Sequence, residues 1–316
     1  MAKAGCVISI GNFDGVHIGH HAILARARQM ARHHGVGVTA ITFDPSPMRI
    51  LNPQAASPRL SDIHERVRLL RQAGADEVVV IEPTKEFLAQ EAQSFLMQLV
   101  HQRHPAAFVE GANFRFGKGR GGDVSVLAAQ VGTMGFVMEV VPAVELAFGD
   151  LIAGPVSSTL VRYFLDMGRV WEASQCLGRS YELAAKVVAG DQRGRTLGVP
   201  TVNLDDAMLT DRMIPAEGVY AGRVILEDGT IRLAAISIGS KPTFGGTQRL
   251  AEAHLLDFSG DLYGRTVRVQ FDRWLRHQQA FPDVPALKTQ LKRDIQQIRT
   301  WAGQGVLAAA GVSQVR

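Results

Sequence analysis

The sequence predicts two folds in succession: a doubly wound α/β domain, then a small antiparallel β-unit closed by a helix. Three observations carry this. Up to about Trp171, short continuous apolar runs alternate with amphipathic helical stretches, the pattern of a parallel sheet covered on both faces. From Gly178 onward the runs become short and alternating, separated by turn residues such as Asp228-Gly229 and Gly245-Gly246, as in an antiparallel barrel or sandwich. The length, 316 residues, suits two cores better than one.

Taken in order, residues 7–10 form a buried strand and 21–34 an amphipathic helix. Strands follow at 36–43, 76–83, 106–111 and 136–142, alternating with helices at 61–74, 90–104 and 123–135. The second part has strand runs at 181–190, 218–226, 232–239, 251–258 and 266–271, then a helix at 285–301. The expected domains are 1–175 and 176–303, with a weakly patterned, flexible tail at 304–316.

Hydrophobic residues make up 46% of the chain and charged ones 20%, as in a globular protein. A net charge of +4 is too small to point to nucleic acid and suits anionic small molecules equally well. The two cysteines, Cys6 and Cys176, have no metal-type spacing and read as reduced thiols. The opening MAKAG lacks a leader pattern and no run reaches membrane-helix length. A cytoplasmic protein with no membrane partner is expected.

The stretch VISIGNFDGVHIGH, residues 7–20, turns from a strand through glycines into a helix. Such a turn aims backbone N–H groups and the positive helix end at one point. Gly11, Phe13, Asp14 and Gly19 shape the loop, and His17 and His20 add donors for phosphate oxygens. A metal site there lacks a third ligand at suitable spacing. Thr42-Phe43-Asp44-Pro45 ends the next strand and reads either as part of the same crevice or as a proline-driven turn. At 111–120, Gly117, Gly119 and Gly122 spell GxGxxG too far from a first βα turn to be a dinucleotide fingerprint. Ala112 and Gly119 also break a Walker A pattern, and a solvated basic turn is the bland alternative. Ser158 and Thr159 open a helix with Arg162 on the same face, either plain caps or a triphosphate clamp.

Residues 188–204 hold a glycine-containing basic loop followed by Thr201 and Asn203. Two apart on an extended segment, these point the same way, and their oxygens suit a hard Mg²⁺. An ordinary hairpin with a polar face is equally consistent by composition. Glu252 is a charge inside an apolar strand pattern, with Glu217 and Asp257 as competing carboxylates. Arg276 stands ready to touch a ligand or to anchor the last helix.

The HxGH element resembles the nucleotidyltransferase superfamily, and GNFDGVHIGHH resembles the bacterial bifunctional riboflavin kinase/FAD synthetases. The resemblance extends over about residues 5–300, through VSSTLVR and the fourteen positions of G-D-x-R-G-R-x-L-G-x-P-T-x-N. It implies an N-terminal doubly wound nucleotidyltransferase domain, Rossmann-like and HIGH-type, and a C-terminal antiparallel β-barrel riboflavin kinase domain with a closing helix. The second would phosphorylate riboflavin with ATP to FMN. The first would join AMP from ATP to FMN, giving FAD and pyrophosphate. His17 and His20 would be catalytic, with Gly11, Phe13, Asp14, Gly19, Ser158, Thr159 and Arg162 on that ATP. The loop 111–117 resembles the family's G-x-(D/N)-F-x-F-G, implying that Asn113, Phe114 and Phe116 hold the flavin. In the kinase, Gly190, Arg195, Gly198, Pro200, Thr201 and Asn203 would hold ATP, Thr201 and Asn203 its Mg²⁺, and Arg276 the flavin. Glu252 would be the base.

Departures from the family pattern stand at Ser46, Ser237, His277 and Gln278. The implied partners are riboflavin, FMN and ATP, with no nucleic acid, in a monomer or weak homo-oligomer. Two other readings are a single-activity nucleotidyltransferase with a degenerate C-terminal domain, and a non-enzymatic RNA-binding relative of HIGH-bearing synthetases. Intact Pro200-Thr201-x-Asn203 and Glu252 speak against the first. The lack of a KMSKS-like loop and of an anticodon-binding module speaks against the second.

Overall fold

A computed structural model describes residues 5–149, 151–189, 201–243 and 246–307, with backbone alone at 151–153, 241–243 and 246–248. Gly190, Arg195, Gly198 and Pro200 of the kinase signature lie outside the described residues. The chain divides into two compact units, Met1–Ser157 and Ser158–Arg316.

The first unit is built on five parallel strands: β1 (Cys6–Ile10), β2 (Gly37–Phe43), β3 (Glu77–Ile81), β4 (Ala107–Gly111) and β5 (Val137–Val141). Their spatial order is β3-β2-β1-β4-β5, so the direction of winding reverses between β1 and β4. Val7, Val38, Ala40 and Val109 point to one face, against α1 (Ile18–His34) and α2 (Ile63–Gln72). Ile8, Ile10, Ile41 and Phe108 point to the other, against α3 (Ala92–Arg103) and α4 (Val124–Met134). Both faces are apolar because both are covered, which is why the strands read as continuous runs.

In the second unit six strands close into an antiparallel barrel: β6 (Tyr181–Val188), β7 (Val202–Leu204), β8 (Gly218–Ile225), β9 (Ile231–Thr243), β10 (Gly246–Leu255) and β11 (Thr266–Arg276). The order around it is β6-β7-β10-β9-β8-β11, and β11 returns to β6. Of the two antiparallel options, the closed barrel is the one formed. Its interior is lined by Tyr181, Leu183, Tyr220, Ile236, Ile238, Ala251, Ala253 and Phe271, each at most 2% exposed. On the outer face Ala221, Leu233, Ala235 and Leu275 pack under Ile295, Ile298 and Trp301 of the closing helix, Val284–Gly303.

Two short helices, α5 (Ser158–Asp166) and α6 (Val170–Leu177), precede the barrel. Residues 158–175, expected with the first domain, group with the second unit. Arg273 of β11 lies over the Trp171 ring at 3.1 Å, one contact that ties α6 to the barrel. The expected tail opens on packed residues: the Val306 N–H donates to the Trp301 carbonyl and Leu307 is buried beside Ile298. Residues 308–316 lie outside the described set.

Candidate active sites

Helix α1 begins at Ile18, a turn earlier than the sequence pattern suggests, because His17 takes an extended backbone (φ −77°, ψ 172°) and serves as its N-cap. His20 therefore falls in the first turn. Its Nδ1 accepts the His17 N–H at 3.3 Å, and the two imidazoles stack with centroids 3.6 Å apart. Gly19 leaves room for this stack, since a Cβ there would lie 3.1 Å from the His17 ring and press on it. Burial, reinforced by His17, His21 and Arg66, holds the His20 imidazole well below the usual histidine range. A neutral ring whose Nδ1 accepts must carry its proton on Nε2, so His20 offers a donor. The capping box formed by His17 and His20 uses two N–H groups at this helix start, and the first turn as a whole lies outside the helix's own carbonyl ladder. Neutral donors gathered at a positive helix end suit phosphate oxygens.

The loop between β1 and α1 is strained and firmly held. Phe13, Gly15 and Val16 have φ of 47°, 77° and 40°. Phe13 is buried, with its ring edge-on to His20. Gly11 lies against the Phe13 ring, where a Cβ would sit 3.4 Å from it. The Asp14 carboxylate accepts from the Leu60 and Ser61 N–H groups at 3.1 Å, and the Gly15 N–H donates to the Ser61 hydroxyl at 3.0 Å. Asp14 thus ties the loop to the entry of α2. Thr42, at the end of β2, donates its hydroxyl to the Asn12 carbonyl at 3.0 Å.

Arg66 completes this clamp and escaped the sequence reading. It is 2% exposed and donates to Thr42 Oγ1, the Phe43 carbonyl and the Ser61 carbonyl at 3.4, 2.8 and 3.4 Å. Burial lowers its proton affinity, while the Asp14 and Asp44 charges oppose that shift. The legible signal was a charge on the buried face of α2, three and four residues before Leu69 and Leu70. Glu110 was missed for a similar reason. It is the last residue but one of β4, is 2% exposed and accepts the Ile10 N–H at 2.8 Å. That bond joins β1 to β4 at the reversal of winding, where open parallel sheets place their ligands. Burial raises the Glu110 carboxyl well above the usual carboxylate range.

Beyond β4, the Phe114 N–H donates to the Gly111 carbonyl at 3.0 Å, and Asn113 stands exposed on that turn. Phe114 stacks on Phe116 with centroids 5.3 Å apart. The two differ in burial: Phe116 is 8% exposed and packs into the core with Phe95, whereas Phe114 is half-buried over it. Phe114 is the ring with a surface to present; Phe116 supports it. In α5, Val161, Phe164 and Leu165 are buried, with Thr159 exposed and Arg162 half-buried.

In the barrel, register brings distant residues into one row. Asn203 on β7 pairs with Glu252 on β10, and Glu252 pairs with Ser237 on β9. Paired residues of antiparallel strands share a face, with Cβ atoms about 5 Å apart. Ala251 and Ala253 beside Glu252, and Ile236 and Ile238 beside Ser237, all point inward. The row therefore lies on the outer face, two residues along β9 from Ala235 beneath the closing helix. Glu217 is exposed, and Asp257 is exposed and paired with Arg299 at 2.7 Å. Arg276 is held by the buried Asp294 of the closing helix at 2.8–3.1 Å and donates to the His277 carbonyl at 3.0 Å. Of its two expected roles, the geometry favours the helix anchor. Among the described residues no three His, Cys, Asp or Glu side chains gather as a metal site.

A family model described as FAD synthetase matches residues 1–159, and one described as riboflavin kinase matches residues 177–302. Relatives named bifunctional riboflavin kinase/FMN adenylyltransferase align along almost the whole chain. The Pseudomonas fluorescens protein is 37% identical over 94% of this chain and 93% of its own. The Escherichia coli (strain K12) protein is 34% identical over 92% and 91%. The chain belongs to the bifunctional riboflavin kinase/FMN adenylyltransferase family. Its two matched domains cover both activities of these transferases. A crystal structure described as a macrolide-efflux protein from Streptococcus pneumoniae has the same fold, with a TM-score of 0.86 at 30% identity over 95% of this chain and 96% of that one. Among the described residues no helix is long and apolar enough to cross a membrane.

Two of the expected departures from the family pattern, Ser237 and Gln278, touch: Gln278 Nε2 donates to the Ser237 hydroxyl at 2.7 Å and to the Ile238 carbonyl at 3.1 Å.

Proposed function

We propose that this chain makes FMN from riboflavin at the barrel and FAD from FMN at the α/β unit, using ATP in both steps. The observation that carries the residue assignment is the pairing of Asn203 with Glu252 across β7 and β10. It supports a site in which the metal-nucleotide and the base stand side by side. Glu252 takes the proton from the riboflavin 5′-hydroxyl as the hydroxyl oxygen attacks the γ-phosphorus and ADP leaves. Thr201 and Asn203 supply a hydroxyl and an amide oxygen, hard donors that fit Mg²⁺ and leave its other positions to water and phosphate. Bound there, Mg²⁺ would neutralise the phosphate charge that opposes attack.

In the α/β unit, FMN attacks the α-phosphorus of ATP and pyrophosphate leaves. The neutral His20 Nε2–H, His17 and the first-turn N–H groups stabilise the charge that builds on the phosphate oxygens. Ser158, Thr159 and Arg162 act on the same triphosphate. Asn113 and Phe114 receive the flavin, with Phe116 behind. The protein works in the cytoplasm as a monomer or weak homo-oligomer, without nucleic acid.

Incubation with riboflavin, ATP and Mg²⁺ followed by flavin separation tests this. FMN and then FAD are expected, and absence of both sinks the reading. Glu252→Ala should abolish FMN formation, by at least a hundredfold, and spare FAD formation from added FMN. His17→Ala should stall the product at FMN.

A further inference from the structure

The row on the barrel holds one polar group that the reaction above leaves unused. Ser237 sits directly beside Glu252, on the side opposite Asn203. Its hydroxyl has one proton to give and lone pairs to accept with. Gln278 settles which it does here. The Ile238 carbonyl is an acceptor only, so the Gln278 atom 3.1 Å from it must be the amide nitrogen. The same nitrogen lies 2.7 Å from Ser237 Oγ, so the serine oxygen accepts that bond. The Ser237 proton is left over, and among the described residues no hydrogen bond uses it. Ser237 is half-buried on the outer barrel face, a place where an oriented donor is of use to a ligand.

In-line phosphoryl transfer fixes which ligand. The attacking oxygen and the leaving ADP stand on opposite faces of the γ-phosphorus, so the carbon chain that carries the attacking hydroxyl leads away from the nucleotide. With Mg-ATP on the Asn203 side of Glu252, the acceptor enters from the Ser237 side. We infer that Ser237, oriented by Gln278, donates a hydrogen bond to a secondary hydroxyl of the acceptor's polyol chain and so helps select a polyhydroxylated flavin side chain. The charged groups around this row are His254, two residues along β10 on the same face, and the Arg276–Asp294 pair between β11 and the closing helix. The inference rests on Glu252 and Asn203 acting as proposed above.

The experiment compares two acceptors in FMN-forming kinetics: riboflavin, and a flavin whose N10 chain is 5-hydroxypentyl, with the terminal hydroxyl alone. The intact enzyme should prefer riboflavin. Ser237→Ala should raise the KM for riboflavin about tenfold, the loss of one hydrogen bond, with kcat and the KM for ATP nearly unchanged. Its kinetics with the hydroxypentyl flavin should not change, so the preference falls by the same factor. Gln278→Ala, at an exposed position that tolerates truncation, should shift the preference the same way. It should add nothing to Ser237→Ala. Ser237→Asn, which restores a donor, should keep the KM within about threefold.

Equal loss on both acceptors, or no change in either variant, overturns the inference. Glu252→Gln separates the two levels. If it retains FMN formation, the assignment of the base fails. If it is inactive while Ser237→Ala leaves the preference intact, only the role of Ser237 fails. Unchanged kinetics with the hydroxypentyl flavin serve as the check that the barrel is folded in the Ser237 and Gln278 variants, and a thermal unfolding profile does so for Glu252→Gln.

Discussion

At the scale of single residues, the α/β unit turns buried polar groups into fixed donors and acceptors. His20 is a defined tautomer because a backbone N–H occupies its Nδ1. Glu110 is the opposite case, a carboxyl kept neutral by burial next to the Ile10 N–H. Its raised folded-state value makes it a source of pH-dependent stability. Below about pH 4 the carboxyl is protonated in both folded and unfolded chains and costs nothing. As pH rises the unfolded chain ionises first, so stability is lost until the folded carboxyl ionises too. Glu110→Gln removes this loss. The melting temperature of the variant relative to the parent is expected to climb between pH 5 and 8. A difference that stays constant over that range refutes the neutral carboxyl.

At the scale of elements, loops hold the sites and helices hold the loops. The turn after β4 works because Gly117 has φ 72° and ψ 175°, a region open essentially to glycine alone. A Cβ there would also lie 2.6 Å from the Ala92 backbone at the start of α3. Gly117→Ala is expected to cost more than about 2 kcal/mol. It should weaken FMN binding for FAD formation and leave riboflavin phosphorylation alone. Thermal unfolding and the two separate assays check this, and an unaffected FAD synthesis would show that the turn does not serve the flavin. In the barrel unit the corresponding fixture is the Arg276–Asp294 pair, which fastens the closing helix beside the row that contains Glu252.

At the scale of the whole molecule, each unit has its own core, and the two proposed reactions rest on different residues. Two crippled enzymes should therefore complement each other. A mixture of Glu252→Ala and His17→Ala proteins, given riboflavin and ATP, is expected to accumulate FAD, because FMN released by one diffuses to the other. No FAD from the mixture, while each protein keeps its own remaining activity, would show that FMN must pass within a single molecule.

The presence of two folds in succession and the glycine-framed HxGH turn were legible in the sequence, whereas the placing of residues 158–175 was not. The legible features depend on local periodicity, and on residue types that few backbones tolerate. Glu252 stood out as a charge in an apolar strand pattern, and it does lie in strand β10. The sequence by itself determined which chemistry is present: two imidazoles at a helix start, a hydroxyl and an amide two apart, a carboxylate in a strand. Only the tertiary structure decided which of these groups meet. Barrel closure aligned Asn203, Glu252 and Ser237, and the reversal of strand order joined Ile10 to Glu110. It also showed the bonds by which Asp14 and Arg276 hold neighbouring segments, and it exposed Arg66 as the buried clamp of the loop. Register and strand order arise from contacts between residues far apart along the chain, and local pattern does not encode them.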